Sequence, residues 1–222
     1  MRANLAEACL RRGRRPEEVT LVGASKTQPA EALRAAWDAG LRIFGENRVQ
    51  EALAKAPHLP PQLEWHLIGP LQSNKVKAAL GLFRTVHSVD RPRIAEALDR
   101  EAAARGLRLD VFLEVNLGAE PTKHGFVAEG LAEAVRPLAD LPHLRVVGLM
   151  TIHPQGETPE DARRWFRALR ELRDRLAERP EWAGFPGGLS MGMSDDYAVA
   201  AEEGATHVRV GTALFGPRTR PV

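Results

Sequence analysis

Short apolar runs recur along the chain, and each is followed by a longer segment whose apolar residues repeat at helical spacing. Several of these runs are rich in valine and isoleucine and are too short for core helices, which favours β-strands. The eight predicted strands cover Val19–Ala24, Leu41–Phe44, Trp65–Ile68, Phe83–Val86, Leu109–Val115, Leu144–Ile152, Gly188–Met193 and Thr206–Val210.

The segments between the strands have the pattern of amphipathic helices, in which residues three or four positions apart share a face. Helices are predicted at Pro29–Ala39, at Phe126–Leu138 and before Arg11, where the helix precedes the first strand. A further helix is predicted at Thr158–Arg179, and its apolar face consists of Trp165, Leu169, Leu172 and Leu176.

The alternation of eight strands with helices favours a parallel sheet with helical crossovers. An open doubly wound sheet usually has a glycine-rich phosphate-binding turn after its first strand, whereas this chain has Ala24-Ser25-Lys26-Thr27 at that place. We therefore predict an α/β fold in which a single (β/α)8 TIM barrel, with an extra N-terminal helix, occupies residues 1–222 as one domain.

Polar residues cluster directly after the predicted strands. In a barrel these strand ends meet at one rim, which is the rim that carries chemistry in this fold. The solvent exposure of loops would account for any one of these polar residues. The loops at the other end of the barrel, however, are rich in Arg, Glu and Pro, so we expect one functional site at this rim. The clustered residues are Ser25-Lys26, Glu46-Asn47, His66 with Gly69, His87-Ser88, Asn116, Thr151–His153, Ser190–Ser194 and Gly211-Thr212.

Lys26 directly follows the first predicted strand. An amine at the end of a buried strand is partly desolvated, and the lowered pKa leaves some neutral amine to attack a carbonyl. Lysine occurs at only five positions, whereas arginine, which cannot form an imine, is used elsewhere. A lysine that merely extends to solvent is the alternative interpretation.

Two segments after the last strands are suited to a phosphate. Ser190–Ser194 joins the seventh strand to a helix, and Gly211-Thr212 follows the eighth strand. The loops after these two strands commonly form a phosphate site in barrels, because helix N-termini there expose N–H groups. A capping serine and a turn glycine would explain the same residues without a ligand.

Arg209 is predicted to point into the barrel. Val208 and Val210 alternate with it along the eighth strand and suit the face that meets the helices. A buried guanidinium needs an acceptor. That acceptor is either a ligand or a structural partner such as Glu114.

Composition and charge remove several classes of function. The 31 basic and 29 acidic residues leave a net charge of +2, and no basic stripe indicates nucleic-acid binding. The lone cysteine, Cys9, rules out a disulfide framework, and the histidines lack metal-ligand spacing. No apolar run approaches the roughly 18 residues of a membrane span, and the N-terminus is too charged for a secretory signal. We therefore expect a cytoplasmic protein without a membrane contact.

The motifs resemble those of the pyridoxal phosphate homeostasis protein family, in order and over nearly the whole chain. The matching stretches are Gly23–Thr27, Phe44–Glu51, Trp65–Lys75, His87–Arg91, Lys123–Gly125, Gly148–Ile152, Leu189–Asp196 and Val208–Thr212.

This resemblance implies a barrel similar to the N-terminal domain of alanine racemases, with pyridoxal 5′-phosphate as its cofactor. It implies that Lys26 carries the cofactor as a Schiff base and that Arg209 faces the pyridine nitrogen. The other cofactor-binding residues that it implies are Ser194, Gly211 and Thr212 at the phosphate, Ser190 nearby, Asn47 and Met150 along the ring, and His66.

The resemblance also implies a role in intracellular pyridoxal phosphate homeostasis. The protein would be a monomer that buffers the cofactor and passes it to apo-enzymes. This transfer would affect the balance of amino and keto acids. Three sequence features agree with weak catalysis or none. An arginine cannot protonate the ring nitrogen, the single tyrosine is Tyr197, and we expect no second domain to supply an opposing base.

Two alternatives stay open at this point. One is a low-activity, pyridoxal-phosphate-dependent amino-acid racemase or a related enzyme. The other is a cofactor-independent phosphosugar isomerase, in which Glu46 would be the catalytic base.

Overall fold

A computed structural model describes residues 1–120, 123–154, 156 and 158–216. Within these residues the chain forms nine β-strands, and every strand pair is parallel. The strands are β1 (Thr20–Ala24), β2 (Ile43–Glu46), β3 (Glu64–Leu67), β4 (Thr85–Val89), β5 (Leu109–Asn116), β6 (Phe126–Val127), β7 (Leu144–Met150), β8 (Gly188–Ser190) and β9 (His207–Val210).

Eight of the strands form a closed ring. β1 lies between β2 and β9, and the ring closes where β4 pairs with β5. In this register Val22 of β1 pairs with Ile43 on one side and with Arg209 on the other. The predicted TIM barrel is therefore confirmed, and the open doubly wound sheet is wrong.

The described residues also form nine α-helices. The first of them precedes β1, as predicted, and Arg11, the residue that follows it, forms an ion pair of 2.7 Å with Glu202 of the eighth helix. The helices are α1 (Arg2–Leu10), α2 (Ala30–Asp38), α3 (Val49–Lys55), α4 (Val76–Ala79), α5 (Pro92–Ala104), α6 (Leu131–Val135), α7 (Arg163–Ala177), α8 (Tyr197–Glu202) and α9 (Thr212–Phe215).

The helix predicted at Phe126–Leu138 is wrong over its first half. Phe126 is buried and pairs with Val115, so the segment begins as the short strand β6 outside the ring. Gly130 then adopts φ +75°, a left-handed conformation that a helix interior does not allow. The helical part is limited to α6 and a 3₁₀ turn at Arg136–Asp140.

The buried face of α7 is shifted by one residue from the predicted one. Phe166 is fully buried, whereas Trp165 is only half-buried and stacks against the Arg164 guanidinium. Leu169, Leu172 and Leu176 are buried as predicted. The sequence offered two adjacent aromatic residues at this turn, and the more apolar one lies in the core.

The barrel interior contains polar and aromatic side chains where branched apolar residues are usual. The rings of His66, His87 and His207 gather near Phe112, and His87 stacks on Phe112 with ring centroids 4.5 Å apart. Among the described residues no group of His, Cys, Asp and Glu is arranged to hold a metal ion. The interior is therefore a packed polar core below the rim.

Candidate functional site

Two adjoining cavities open among the residues that follow the barrel strands. Their volumes are about 270 Å³ and 220 Å³, and both are lined by Ala24, Lys26, Met193 and Arg209. Each is smaller than the ~300 Å³ at which ordinary small-molecule pockets begin. Because they share these residues, they form one continuous site, in which Lys26 and Arg209 lie at the junction.

The turn that carries Lys26 is fixed by buried polar contacts. Lys55 Nζ of α3 donates to the Ser25 carbonyl at 2.9 Å and contacts Glu46 Oε1 at 2.5 Å. Ser25 Oγ donates to the same carboxylate at 2.9 Å. Thr27, the next residue after Lys26, has φ +63°, which a β-branched residue rarely adopts. These contacts join the ends of β1 and β2 beside Lys26.

Glu46 does not reach the site. Its side chain is completely buried, it is paired with Lys55, and it lines neither cavity. The structure therefore argues against Glu46 as the base of a phosphosugar isomerase. Its neighbour Asn47 does line the larger cavity. Gly69 packs so closely on Asn47 that a Cβ at residue 69 would lie 2.5 Å from the Asn47 carbonyl oxygen.

The smaller cavity is lined by hydrogen-bond donors from the loops after β8 and β9. Ser194, Gly211 and Thr212 all line it, and the Gly211 and Ala213 amides donate to Ser194 Oγ at 3.2 and 3.3 Å. The Ser194 hydroxyl accepts these two bonds and keeps its own proton for another acceptor. A hydroxyl that two main-chain amides hold in this way can donate its proton to an anion.

Gly192 brings these two loops together. It has φ +92°, and a Cβ at this residue would lie 2.5 Å from the Ala200 Cβ. The carbonyl of Gly192 accepts a hydrogen bond of 2.9 Å from the Arg209 amide. Glycine is required here because only glycine combines this backbone conformation with so close an approach.

Arg209 points into the barrel, as the alternation with Val208 and Val210 predicts. It is 5% exposed, whereas both valines are fully buried on the other face. Nη1 donates to Ser190 Oγ at 2.6 Å and Nη2 to the Thr151 carbonyl at 2.9 Å. Burial lowers the pKa of Arg209 to about 10, although the nearby carboxylates of Glu114 and Asp196 oppose this. Arg209 forms no ion pair within 4 Å with Glu114; two of its N–H groups donate to Ser190 and Thr151.

Glu114 lies in the larger cavity and is a residue whose place in the site the sequence analysis missed. Its Oε2 is buried and has no hydrogen-bond partner among the described residues. Burial raises the pKa of Glu114 to about 7, the charge of Asp90 adds to the rise, and Arg209 opposes it. The alternation of Phe112, Glu114 and Asn116 along β5 is the signal that could have located this carboxyl inside the barrel.

The remaining three predicted residues do not line the cavities. Met150, His66 and Ser190 are buried and line neither cavity. Ser190 touches the site through its contact with Arg209, and His66 lies further down the barrel. The structure thus brings together six of the nine predicted residues: Lys26, Asn47, Ser194, Arg209, Gly211 and Thr212.

Two basic residues after β5 also line the larger cavity. Lys123 pairs with Glu120 at 2.7 Å, and His124 Nδ1 lies 3.2 Å from the buried carboxylate of Asp90. Both belong to the stretch Lys123–Gly125 that carries part of the sequence resemblance. Both residues therefore line the same cavity as Glu114.

No helix in the described part of the chain combines the length and the apolar character needed to cross a bilayer.

The described residues form a closed parallel barrel that has a lysine after its first strand. Hydrogen-bond donors lie in the loops after its last two strands. Residues 9–219 match the family of the alanine racemase N-terminal domain.

Individual relatives narrow this class. The pyridoxal phosphate homeostasis protein of Aquifex aeolicus (strain VF5) is 49% identical over 215 residues, which cover 96% of this chain and 93% of the relative. PipY of Synechococcus elongatus PCC7942 with pyridoxal phosphate bound is 42% identical, with a TM-score of 0.84 over 96% of this chain and 100% of that chain. PipY without the cofactor has a TM-score of 0.85 at the same identity, over 97% and 99% of the two chains. The chain therefore belongs to the pyridoxal phosphate homeostasis protein family.

Proposed function

We propose that this protein binds pyridoxal 5′-phosphate at the continuous rim cavity and acts in intracellular pyridoxal phosphate homeostasis. One observation carries the proposal. Lys26 and Arg209 lie where the two cavities meet, and Ser194, Gly211 and Thr212 line the smaller one. A lysine, a cation and an anion-binding loop are the three contacts that a phosphorylated pyridine aldehyde needs.

The residues present fit this cofactor. The hydroxyls of Ser194 and Thr212 line the smaller cavity and suit its phosphate, and Asn47 lines the larger cavity, where the ring would lie. When bound, pyridoxal phosphate supplies an aldehyde and an electron-accepting ring. Lys26 Nζ would attack the aldehyde carbon and form a C=N bond, and the carbonyl oxygen would leave as water. This Schiff base on Lys26 holds the cofactor without an external reactant.

Carriage of the cofactor fits this site better than catalysis does. Arg209 donates at every N–H and has no proton to give up, so it leaves the ring nitrogen unprotonated and the ring a weak electron acceptor. The single tyrosine, Tyr197, lines neither cavity and so does not face the site as a base. We therefore infer a buffer that limits the free aldehyde and passes the cofactor to apo-enzymes.

A low-activity amino-acid racemase is the second candidate. Glu114 favours it, because this carboxyl lies in the cavity and its pKa is raised to about 7. A group with that pKa can accept and return a proton near neutral pH. The same site would then exchange the Cα proton of an amino acid.

The wider role follows from family membership. We propose that residues 1–222 work as a single domain, as a monomer in the cytoplasm, and that transfer to apo-enzymes affects the balance of amino and keto acids. Nucleic acid has no part in this role.

One experiment separates the two candidates. Protein loaded with pyridoxal phosphate is mixed with an apo-aminotransferase, and the regained transaminase activity is followed in time. In parallel, amino acids are incubated with the loaded protein in D₂O, and Cα deuteration is measured by NMR. A carrier reactivates the apo-aminotransferase and exchanges no Cα proton. Exchange that disappears in Lys26→Ala would instead support the racemase, and a wild-type protein that takes up no cofactor would refute both.

A further inference from the structure

A chain of polar side chains crosses the barrel interior from its amino-terminal end to the rim. His66 Nε2 lies 2.9 Å from Glu64 Oε1, and His66 Nδ1 lies 2.9 Å from His87 Nε2. His87 Nδ1 lies 2.7 Å from Ser190 Oγ, which accepts from Arg209 Nη1 at 2.6 Å. Four contacts therefore connect a carboxylate at the start of β3 with the guanidinium at the cofactor cavity.

The two ends of the chain fix the direction of every hydrogen bond. Arg209 can only donate, so Ser190 Oγ accepts from it, and its hydroxyl proton remains for His87 Nδ1. An ionised Glu64 can only accept, so His66 carries its proton on Nε2. His87 then donates from Nε2 to His66 Nδ1. This is the single arrangement of neutral imidazoles that places one proton in every contact.

Burial and charge agree with this arrangement. His87 and Ser190 are fully buried, and His66 is 3% exposed, whereas the Glu64 side chain is 51% exposed. Burial lowers the pKa of His87 well below its usual value, which keeps its ring neutral. The hydrogen bond from His66 lowers the pKa of Glu64, which keeps it a carboxylate. The chain thus runs from a partly solvated anion to a buried cation.

We propose that His66, His87 and Ser190 are positioning residues, which hold the Arg209 guanidinium at the cavity through a directed hydrogen-bond chain anchored on Glu64. The inference rests on the proposed function, because Arg209 is taken to meet the ring nitrogen of pyridoxal phosphate. Ser190 Oγ and the Thr151 carbonyl each accept one hydrogen bond from Arg209, and a guanidinium has five N–H groups, so further donors are available to the cavity that Arg209 lines. Linked donors also polarise one another, so each contact strengthens the next.

His207 provides a matched control within the same cluster. Its ring centroid lies 5.7 Å from that of His87 and 4.9 Å from that of Phe112. Its Nδ1, however, contacts Thr206 Oγ1 at 2.9 Å and not a member of the chain. Replacement of His207 perturbs the same core without breaking the path to Arg209.

The first test uses the protein without ligand. Long-range ¹H–¹⁵N NMR spectra assign the protonated nitrogen of each imidazole. We expect the Nε2–H form for both His66 and His87, and Ser190→Ala should shift the ring resonances of His87 more than those of His207. A proton on His87 Nδ1, or His87 resonances that do not respond to Ser190→Ala, would overturn the chain.

The second test asks whether the chain acts on the ring nitrogen. Binding of pyridoxal phosphate is compared with binding of its deaza analogue, in which a CH group replaces the ring nitrogen. His87→Phe should weaken the binding of pyridoxal phosphate by about 3- to 10-fold, which is the worth of one hydrogen bond, and change that of the analogue less than about 2-fold. The side-chain amide of His87→Gln both accepts and donates, so this variant should regain most of the affinity for pyridoxal phosphate. His207→Phe should change the affinity for the two ligands by the same factor.

Each outcome decides the proposal. Equal losses with both ligands, or no loss with either, would overturn the positioning role. Ser190→Ala repeats the comparison with a smaller change if His87→Phe does not fold. If the wild-type protein binds no pyridoxal phosphate, the proposed function fails and with it the contact to the ring nitrogen, whereas the NMR tautomers still decide the hydrogen-bond chain independently.

Discussion

Lys55 Nζ lies 2.5 Å from Glu46 Oε1 and 2.9 Å from the carbonyl oxygen of Ser25, the residue before Lys26. The Glu46 side chain is completely buried, and the Lys55 side chain is 14% exposed. One amine therefore neutralises a buried carboxylate and ties the ends of β1 and β2 together. The backbone that presents Lys26 depends on this ion pair.

Lys55→Met should destabilise the protein strongly. The variant leaves the Glu46 carboxylate buried without its cation, and removal of one partner from a buried pair costs about 3–5 kcal/mol. The free energy of unfolding, measured by urea denaturation, should fall by that amount. Lys77→Met, on the exposed side of α4, should change it by less than about 0.5 kcal/mol.

The double variant Glu46→Gln/Lys55→Met checks the cause of that loss. With both charges removed, no unpaired carboxylate remains, so the double variant should be more stable than Lys55→Met alone. A double variant that is less stable than Lys55→Met would show that lost packing, and not the unpaired charge, causes the effect.

Ser194→Ala should weaken the binding of pyridoxal phosphate but not that of pyridoxal, which lacks the phosphate. The Ser194 hydroxyl lies among the amides of the smaller cavity, and one lost hydrogen bond corresponds to about 2- to 10-fold in affinity. Titrations of both ligands, followed by absorbance, measure the two constants. Equal weakening of both would mean that Ser194 does not face the phosphate.

Glu114→Gln should stabilise the protein relative to wild type as the pH rises. The pKa of Glu114 is raised from 4.5 to about 7, so the wild-type fold holds a proton that the unfolded chain has already lost above pH 4.5. The stability that this proton contributes is complete below pH 4.5 and is lost as the pH rises through about 7. The variant has no such loss.

The expected size of this difference follows from the same pKa. Between about pH 4.5 and about pH 8, Glu114→Gln should gain up to about 3 kcal/mol on wild type in the free energy of unfolding. Glu129→Gln, at an exposed position, should show almost none of this change. A difference that stays constant with pH would contradict the raised pKa.

The barrel was predictable from the sequence because each strand is a local pattern. The Val-rich runs and the helical spacing between them need no long-range information, and all eight predicted strands are present. The error at Phe126 has a non-local cause, since its pairing with Val115 overrides an apolar spacing that also suits a helix. The choice of Phe166 over Trp165 is likewise settled by the core that α7 meets.

The site was predictable where it depends on strand ends and alternation. Lys26 follows β1, and Arg209 alternates with two valines, so both could be placed at the rim before the fold was known. The chain from Glu64 to Arg209 could not be predicted, because it joins side chains from β3, β4, β8 and β9 that come together only when the ring closes. The burial of Glu46 against Lys55 depends instead on how α3 packs back on β2, which the strand pattern does not specify.

The central claim is that Lys26 holds pyridoxal phosphate. The most direct measurement is an absorbance spectrum of the protein after addition of the cofactor, followed by borohydride reduction and mass-spectrometric mapping of the modified peptide. The account predicts a visible absorption band and a reduced adduct on Lys26, which is lost in Lys26→Ala and kept in Lys77→Ala. A protein that stays colourless, or an adduct on Lys123 with Lys26 unmodified, would contradict it.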